Sequence, residues 1–247
     1  MSLLYVFAAA AFEAKPVRQI AASAKRSDPA SAPLRCGANE LLLVTGGMGP
    51  KLAQKAAEAA LGSETSKSRK PDAVLIIGLC GGLTESLPEG RIVVYTDCLS
   101  TEAAKAPLRC SPSLTDSFVS LLASSSIQCD RVAGITSPRI ATKRAERVEL
   151  ARSRAAVIDM ESYPIVQAFA TAGIPAVILR VVSDSLDRDL PDFNRALNEA
   201  GSLDGRRALK IALRSPLQTA KLLAANKRAM KKLSKALEVV LPAQCFA

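Results

Sequence analysis

The sequence predicts an α/β protein: a central mixed, mostly parallel sheet as the middle of three layers, flanked by helices, with basic helices at the C-terminal end. Three observations carry this. Short apolar runs rich in β-branched residues alternate with segments whose apolar residues recur at helical spacing, the pattern of a sheet covered on both faces. Two of the runs end in glycine clusters, Gly46-Gly47-Met48-Gly49 and Gly78-Leu79-Cys80-Gly81-Gly82. Residues 157–187 read as a short strand, a helix with Ile165, Val166, Phe169 and Ala170 on one face, a Gly-Ile-Pro turn and a buried strand from Ala176 to Val182. Gly173 stops that helix, and Pro175 cannot continue it.

Taken in order, residues 3–10 form a central strand ending near Glu13, with a helix from about Lys15. A turn-rich stretch at 27–37 carries Pro29 and Pro33, and Glu40 to Thr45 is a second strand that runs into the first glycine cluster and a helix through Leu61. Backbone N–H groups at a strand–glycine–helix junction suit an anion or a ribose, so Gly46 and Gly47 are candidate ligands, although glycines also serve tight turns. Residues 62–71 read as a polar surface loop, and Asp72 to Ile77 as a buried strand followed by the second glycine cluster. Pro88-Glu89-Gly90 turns into a strand at 91–95, 97–113 shows no regular pattern, and Thr115 to Ser124 reads as a helix. A strand at 132–136 leads through Ser137-Pro138-Arg139-Ile140 to a charged helix at 143–152. Neither an internal repeat nor a clear linker is visible. The division expected is a main α/β domain over 1–205 and a basic amphipathic helical extension over 206–247 packed on it.

Composition narrows the chemistry. Among 247 residues there is no histidine, which excludes Ser–His–Asp and Cys–His catalysis and most zinc sites. Six dispersed cysteines show no C-x-x-C spacing, so reduced thiols are expected and no metal or other cofactor is implied. Aromatics at 4% argue against nucleic-acid binding by base stacking. Residues 3–12 resemble a short signal core, but no basic segment precedes them and Glu13 follows at once, so a buried first strand in a cytoplasmic protein is the reading. The net charge of +10 lies in one place: residues 206–235 hold ten basic and no acidic residues, which leaves the rest formally neutral. Pro216 opens a helix of about twenty-five residues whose Leu223, Met230, Leu233, Leu237 and Val240 form an apolar stripe. It suits a helix docked on the sheet or on another subunit. Residues 206–241 also suit peripheral contact with an anionic inner-membrane surface, and less well a nucleic acid.

In open α/β sheets ligands bind beyond the carboxyl ends of the strands, so Glu161 and Asp184 are placed to face one pocket. Each also has a local explanation, Glu161 as a helix N-terminal acid and Asp184 as a loop cap. Asp159-Met160-Glu161, followed some twenty residues on by Gly-Ile-Pro and then Arg180-Val181-Val182-Ser183-Asp184, resembles the purine nucleoside phosphorylase/methylthioadenosine nucleosidase superfamily. The resemblance covers roughly residues 3–187. It implies a phosphorylase-type fold, a small-molecule purine nucleoside as ligand and a homo-oligomer. Met160 and Glu161 would hold the ribose, and Asp184, next to Ser183, would protonate the departing purine, which asks for a carboxyl whose proton burial retains. Leu79, Cys80 and Gly81 would line the ribose and nucleophile, and Ile140 would lie against the purine. Glu13 falls where hydrolytic members carry a water-activating glutamate, and it equally suits a helix N-terminus. Arg180, a charge in an apolar strand, needs a partner: either it neutralises Glu161 or Asp159, or it reaches the edge of the site. Phosphorolytic members often carry an arginine and a hydroxyl residue where Ile76 and Leu79 stand, so phosphate is disfavoured as nucleophile and hydrolysis favoured. The Gly-Met-Gly-Pro loop and basic tail further resemble a branch linked to hopanoid lipid synthesis, whose substrate would be an adenosyl-lipid. A phosphorolytic enzyme, or a non-catalytic nucleoside-binding or membrane-adaptor protein on the same fold, remains the alternative.

Overall fold

A computed structural model describes residues 1–23, 34–187, 189–197 and 204–246, which place nine strands in one sheet with helices on both faces. The strands are β1 (Ser2–Ala8), β2 (Leu34–Cys36), β3 (Asn39–Thr45), β4 (Ala73–Gly82), β5 (Ile92–Ser100), β6 (Leu108–Arg109), β7 (Cys129–Thr136), β8 (Val157–Asp159) and β9 (Ala176–Asp184). β1 pairs in parallel with β3 and β4, β4 with β9, and β7 with β5 and β8. The antiparallel pairs are β2–β3, β5–β6, β4–β8 and β5–β9. β4 is long enough to pair with β9 along most of its length and with β8 at Gly81–Gly82, so β4, β9, β5, β7 and β8 close into a ring.

The two-residue alternation of the strands sorts their side chains into two cores. Leu4 and Val6 of β1, Leu75 and Ile77 of β4, and Val177 and Leu179 of β9 face helices α1 (Ala11–Ser23), α4 (Pro112–Ser124) and α8 (Pro216–Val240). Tyr5 and Phe7, Val74 and Ile76, and Ile178 and Val182 face α2 (Pro50–Leu61) and α6 (Ser162–Thr171). Phe169 of α6 meets the Tyr5 and Phe7 rings edge-on at 6.1 and 5.5 Å. Arg180 falls on the α2/α6 side of β9, at a position the alternation would give to an aliphatic residue.

Several boundaries differ from the sequence reading. Helix α1 starts at Ala11, because the Glu13 carboxylate reaches back to the N–H groups of Ala9 and Ala10, both at 3.1 Å, as the acid of a capping box does. The loop expected at 62–71 contains a short helix, α3 (Glu64–Ser68), capped by Ser63 Oγ. β4 runs on through the glycines to Gly82, and β5 and β6 occupy part of the patternless 97–113 stretch. Most of the 27–37 stretch lies outside the described residues; its end forms β2. A charged helix, α5 (Arg144–Ala151), and a 3₁₀ turn, Phe193–Ala196, complete the cover over the carboxyl ends of the strands.

The basic tail has two parts with different surroundings. In α8, Ala225, Ala229, Leu233, Ala236, Leu237 and Val240 are buried and belong to the core, whereas Leu223, expected on that stripe, is 62% exposed because Ala225 and Ala229 mark the inward face at this level. Asn39 donates to the carbonyls of Leu241 and Ala243, both at 2.8 Å, which pins the end of the helix to β3. Helix α7 (Gly205–Arg214) buries no residue, and its Leu209 and Leu213 are 60% and 71% exposed. Among the described residues no helix is long and apolar enough to cross a membrane. Leu233→Ala should therefore cost about 2–5 kcal/mol of stability, while Leu213→Ser should stay within about 0.5 kcal/mol of wild type; urea unfolding of both variants measures the difference.

Candidate active site

The carboxyl ends of β1, β4 and β9 and the start of α6 surround a cavity of about 220 Å³. Glu13, Met160, Glu161, Arg180, Ser183, Asp184, Leu79, Cys80, Gly81 and Ile140 all line it. Three acids distant in the chain, at 13, 161 and 184, thus meet on one cavity. Gly46 and Gly47 do not. Their N–H groups donate to Ala8 and Ala9 carbonyls at 3.0 Å, so neither is free for a ligand, and both border a separate void of about 10 Å³. Their neighbours serve the cavity instead: Met48 lines it and the Gly49 N–H donates to Glu161 Oε1 at 3.1 Å.

Arg180 is 1% exposed, and its guanidinium organises the inner wall. Nη1 donates to the Leu79 carbonyl at 2.9 Å, Nη2 to Ser162 Oγ at 3.0 Å and to Glu161 Oε2 at 3.3 Å, and Nε lies 3.4 Å from Asp159 Oδ2. Both alternatives raised for Arg180 thus hold, since it neutralises Asp159 and Glu161 and also lines the cavity. Asp159 is held further by Tyr95 Oη at 3.0 Å and Thr136 Oγ1 at 2.8 Å, and it accepts the Glu161 and Ser162 N–H groups at the start of α6. Gly78 is paired with Arg180 across the β4–β9 ladder; a Cβ there would come within 2.6 Å of Glu13 Oε1 and 3.0 Å of Arg180 Nη1. Only glycine permits both side chains to cross this point of the strand.

One cation among three buried acids cannot neutralise them all, and their proton affinities diverge. Burial alone would push the Asp159 carboxyl up, but Arg180, Ser162 and Thr136 pull it below the usual range. Burial raises Glu161 to about 7, with the neighbouring charges of Asp159 and Glu13 adding to it and Arg180 opposing. Glu13 is also raised by burial, against Arg180 and the N–H groups of Leu79, Ala9 and Ala10. The Leu79 N–H meets Glu13 Oε1 at 2.9 Å, so three backbone donors converge on this carboxylate and leave one of its four lone-pair sites open. The Cys80 thiol is buried and pushed well above its ordinary range, which makes it a poor nucleophile.

At the other end of the cavity Asp184 is 7% exposed and ion-paired with Arg147, which is 1% exposed. Arg147 also donates to the carbonyls of Ala141 and Ser185, both at 2.8 Å, so it ties the loop before α5 to the end of β9. Ser183 Oγ donates to Asp184 Oδ1 at 2.6 Å. The β4–β9 register slips here by one residue, and the irregularity lets the consecutive Ser183 and Asp184 both face the cavity. Nothing in the sequence marks Arg147, one of several arginines on a charged helix. Asp184 is therefore buried, as the sequence reading expected, and it has a guanidinium beside it that the sequence did not indicate. Ile140 is fixed by Asn194, whose side-chain amide exchanges two 2.8 Å hydrogen bonds with the Ile140 backbone. The outer wall, unforeseen from sequence, is apolar: Phe12, Leu190, Pro191, Phe193 and Leu222, with Asn226 one turn beyond Leu222.

The raised proton affinity of Glu161 has a thermodynamic consequence. Its folded-state value of about 7 lies above the ordinary 4.5, so its contribution to stability is complete below about pH 4.5 and is lost as pH rises through about 7. Glu161→Gln, which stays neutral, should gain stability relative to wild type as pH rises across that window. Denaturant midpoints on either side of it provide the check, and a difference that does not vary with pH would show that Glu161 titrates alike folded and unfolded.

Comparisons with known proteins converge on one group. Futalosine hydrolase of Helicobacter pylori superposes with a TM-score of 0.75 at 12% identity, covering 97% of each chain. The 5′-methylthioadenosine/S-adenosylhomocysteine nucleosidase of Neisseria meningitidis, in complex with methylthio-immucillin-A, gives 0.74 at 15% identity over 98% of this chain and 99% of the other. The S-adenosylhomocysteine nucleosidase of Streptococcus pyogenes gives 0.68 at 18% identity, covering 97% of each. No curated protein matches the sequence. At these identities the superpositions establish the fold, and the sequence profile of the phosphorylase superfamily matches residues 13–214. By that match, with the strand order and the acid-lined cavity described above, the chain belongs to the phosphorylase superfamily.

Proposed function

We propose that the protein hydrolyses the N-ribosyl bond of an adenosine-type nucleoside and releases adenine. The observation that carries the choice of water over phosphate is the setting of Glu13. The N–H groups of Ala9, Ala10 and Leu79 point together at the inner end of the cavity, where they could hold an anion, and the Glu13 carboxylate already occupies them. A phosphate dianion brought there would meet a carboxylate. The cationic side chains on the cavity are engaged as well: Arg180 with Asp159 and Glu161, Arg147 with Asp184, and Arg139 with Glu146 at 3.0 Å. Ile76, where an arginine could have served phosphate, is buried in the core, and Leu79 offers no hydroxyl.

In this reading Glu13 takes a proton from the attacking water, and its raised proton affinity brings it nearer to neutral pH, where a general base works best. Glu161, steadied by the Gly49 N–H and Arg180, accepts hydrogen bonds from the ribose hydroxyls, and Met160 packs on the sugar. Asp184 meets the purine and carries the proton that passes to it as the bond from base to anomeric carbon breaks, while the oxygen of the water deprotonated by Glu13 bonds to that carbon. Arg147 and Ser183 set the plane of its carboxyl before the substrate arrives, so little reorganisation is left for the reaction. Glu13 packs over Gly78 and Asp184 over Gly81, three residues along β4, a spacing of about 10 Å in an extended strand. That leaves room for a sugar and a water between the two acids.

A specific observation favours an apolar group on the 5′ side of the sugar, as an adenosyl-lipid such as adenosylhopane would carry: the outer wall of Phe12, Leu190, Pro191, Phe193 and Leu222 together with Leu79. Incubation with methylthioadenosine, adenosylhomocysteine, adenosine and inosine, with and without phosphate, should release free base without phosphate, and more readily from adenine nucleosides with apolar 5′ groups. Base released only with phosphate would sink the hydrolytic reading, and none released from any of them would leave a binding protein on the same fold. Asp184→Asn and Glu13→Gln should each lower kcat/KM by about 10²- to 10⁴-fold; each also removes a charge beside a buried arginine, Arg147 or Arg180, so the comparison is made well below the melting temperature of each variant.

A further inference from the structure

We propose that α7 and the first turn of α8 form a docking surface for an anionic lipid membrane, placed beside the outer wall of the cavity. Helix α7 is sharply divided around its circumference. Arg206, Lys210, Arg214 and Arg207 occupy one arc; Ala208, Ile211 and Ala212 lie on the arc that the protein partly covers. Leu209 and Leu213 stand between them, 60% and 71% exposed, and Leu217, in the first turn of α8 beyond the non-helical Ser215, is 78% exposed. Leu209 and Leu213, four residues apart on one helix, make a short ridge, and with Leu217 exposed close by in the chain they leave apolar surface for something to cover. Beside it, Arg206, Lys210 and Arg214 make no ion pair among the described residues.

The charge selects the occupant. A second copy docking through the same face by two-fold symmetry would set one row of unpaired cations against another. A nucleic acid would engage the basic arc but has no use for an aliphatic ridge and would look for aromatic platforms that α7 does not offer. An anionic bilayer satisfies both: the leucines enter the acyl boundary while arginine and lysine stay at the headgroups. The sequence pattern pointed to the whole of residues 206–241 for this contact; most of the α8 stripe is spent in the core, and α7 is the part left exposed.

The site and the surface adjoin. The Asp204 N–H at the start of α7 donates to the Ala196 carbonyl at 2.7 Å, and α7 packs on the 3₁₀ turn whose Phe193 lines the cavity. Leu222, also on the cavity wall, lies little more than one turn beyond Leu217 on α8. Docking would therefore bring the apolar wall of the cavity close to the bilayer, where a nucleoside with an apolar 5′ tail resides. This consequence rests on the nucleosidase reading; the docking itself does not.

The test uses the full-length protein and vesicles of phosphatidylcholine with and without phosphatidylglycerol, followed by flotation. Wild type should float with the phosphatidylglycerol vesicles only and be released by high salt. The double variants Leu209→Ser/Leu213→Ser and Arg206→Glu/Lys210→Glu should each weaken binding by about tenfold or more, with melting temperature and turnover of soluble methylthioadenosine unchanged. Failure of wild type to float, or flotation that neither variant weakens, overturns the proposal. So does a fall in oligomer size in Leu209→Ser/Leu213→Ser without vesicle binding by wild type, since α7 then covers another copy. If wild type floats as expected but cleaves no nucleoside, the docking stands and the enzymatic reading fails.

Discussion

One guanidinium shared among three buried acids is the constraint on which this structure turns. A charge sealed in a sheet must have partners, and the partners of Arg180 come from separate parts of the chain. Asp159 ends β8, Glu161 begins α6, and Glu13 lies in the first turn of α1. Bringing them to one arginine fixes how β9 lies against β4 and how two helices enter the sheet. The demand extends to the backbone: Gly78 has to be a glycine because Glu13 and Arg180 cross where its side chain would be. The same shortage of positive charge that makes the cluster costly also separates the proton affinities of its members, with Asp159 held ionised and Glu161 and Glu13 drawn toward neutrality. A reactive site gains from that spread, because groups with the same side-chain chemistry are set to different tasks.

Asp184 stands outside that cluster and is organised separately. Its partner, Arg147, comes from α5 and also holds the carbonyls of Ala141 and Ser185, so the end of the cavity assigned to the purine is built by loops converging on a second buried arginine. The inner end of the cavity is thus set by sheet geometry, and the opposite end by loops that Arg147 and Asn194 pin together. Loops tolerate change better than a sheet, so the loop-built end of the cavity can vary at less cost to the fold than the end set by the strands.

The basic tail illustrates how charge pattern alone misleads. Residues 206–235 read as one cationic segment, but α8 uses small and branched residues to enter the core, while α7 uses none. The difference lies in what each helix packs on: Ala225, Ala229 and Ala236 bring α8 close to the sheet around Leu233 and Leu237, whereas α7 rests on the Phe193–Ala196 turn and the start of α8, so its Ala208, Ile211 and Ala212 are only half-buried. Chain connectivity then sets α7 over the turn that closes the cavity.

What the sequence determined by itself was the layered α/β order and the candidates for the site. Period-two and helical apolar spacing are local properties, and Asp159-Met160-Glu161 with Arg180 and Ser183-Asp184 lie within one strand–helix–strand unit whose geometry follows from chain rules. Glu13 could be suspected only by resemblance, since its capping of Ala9 and Ala10 and its reach to Leu79 depend on β1 lying beside β4. The tertiary structure alone decided the rest. Gly46 and Gly47 lost their expected role because Ala8 and Ala9 carbonyls take their N–H groups; Arg147 became the partner of Asp184, and Leu223 turned outward. Each of these depends on which distant residue fills a position, and a linear pattern carries spacing along the chain but not the identity of what is packed across it.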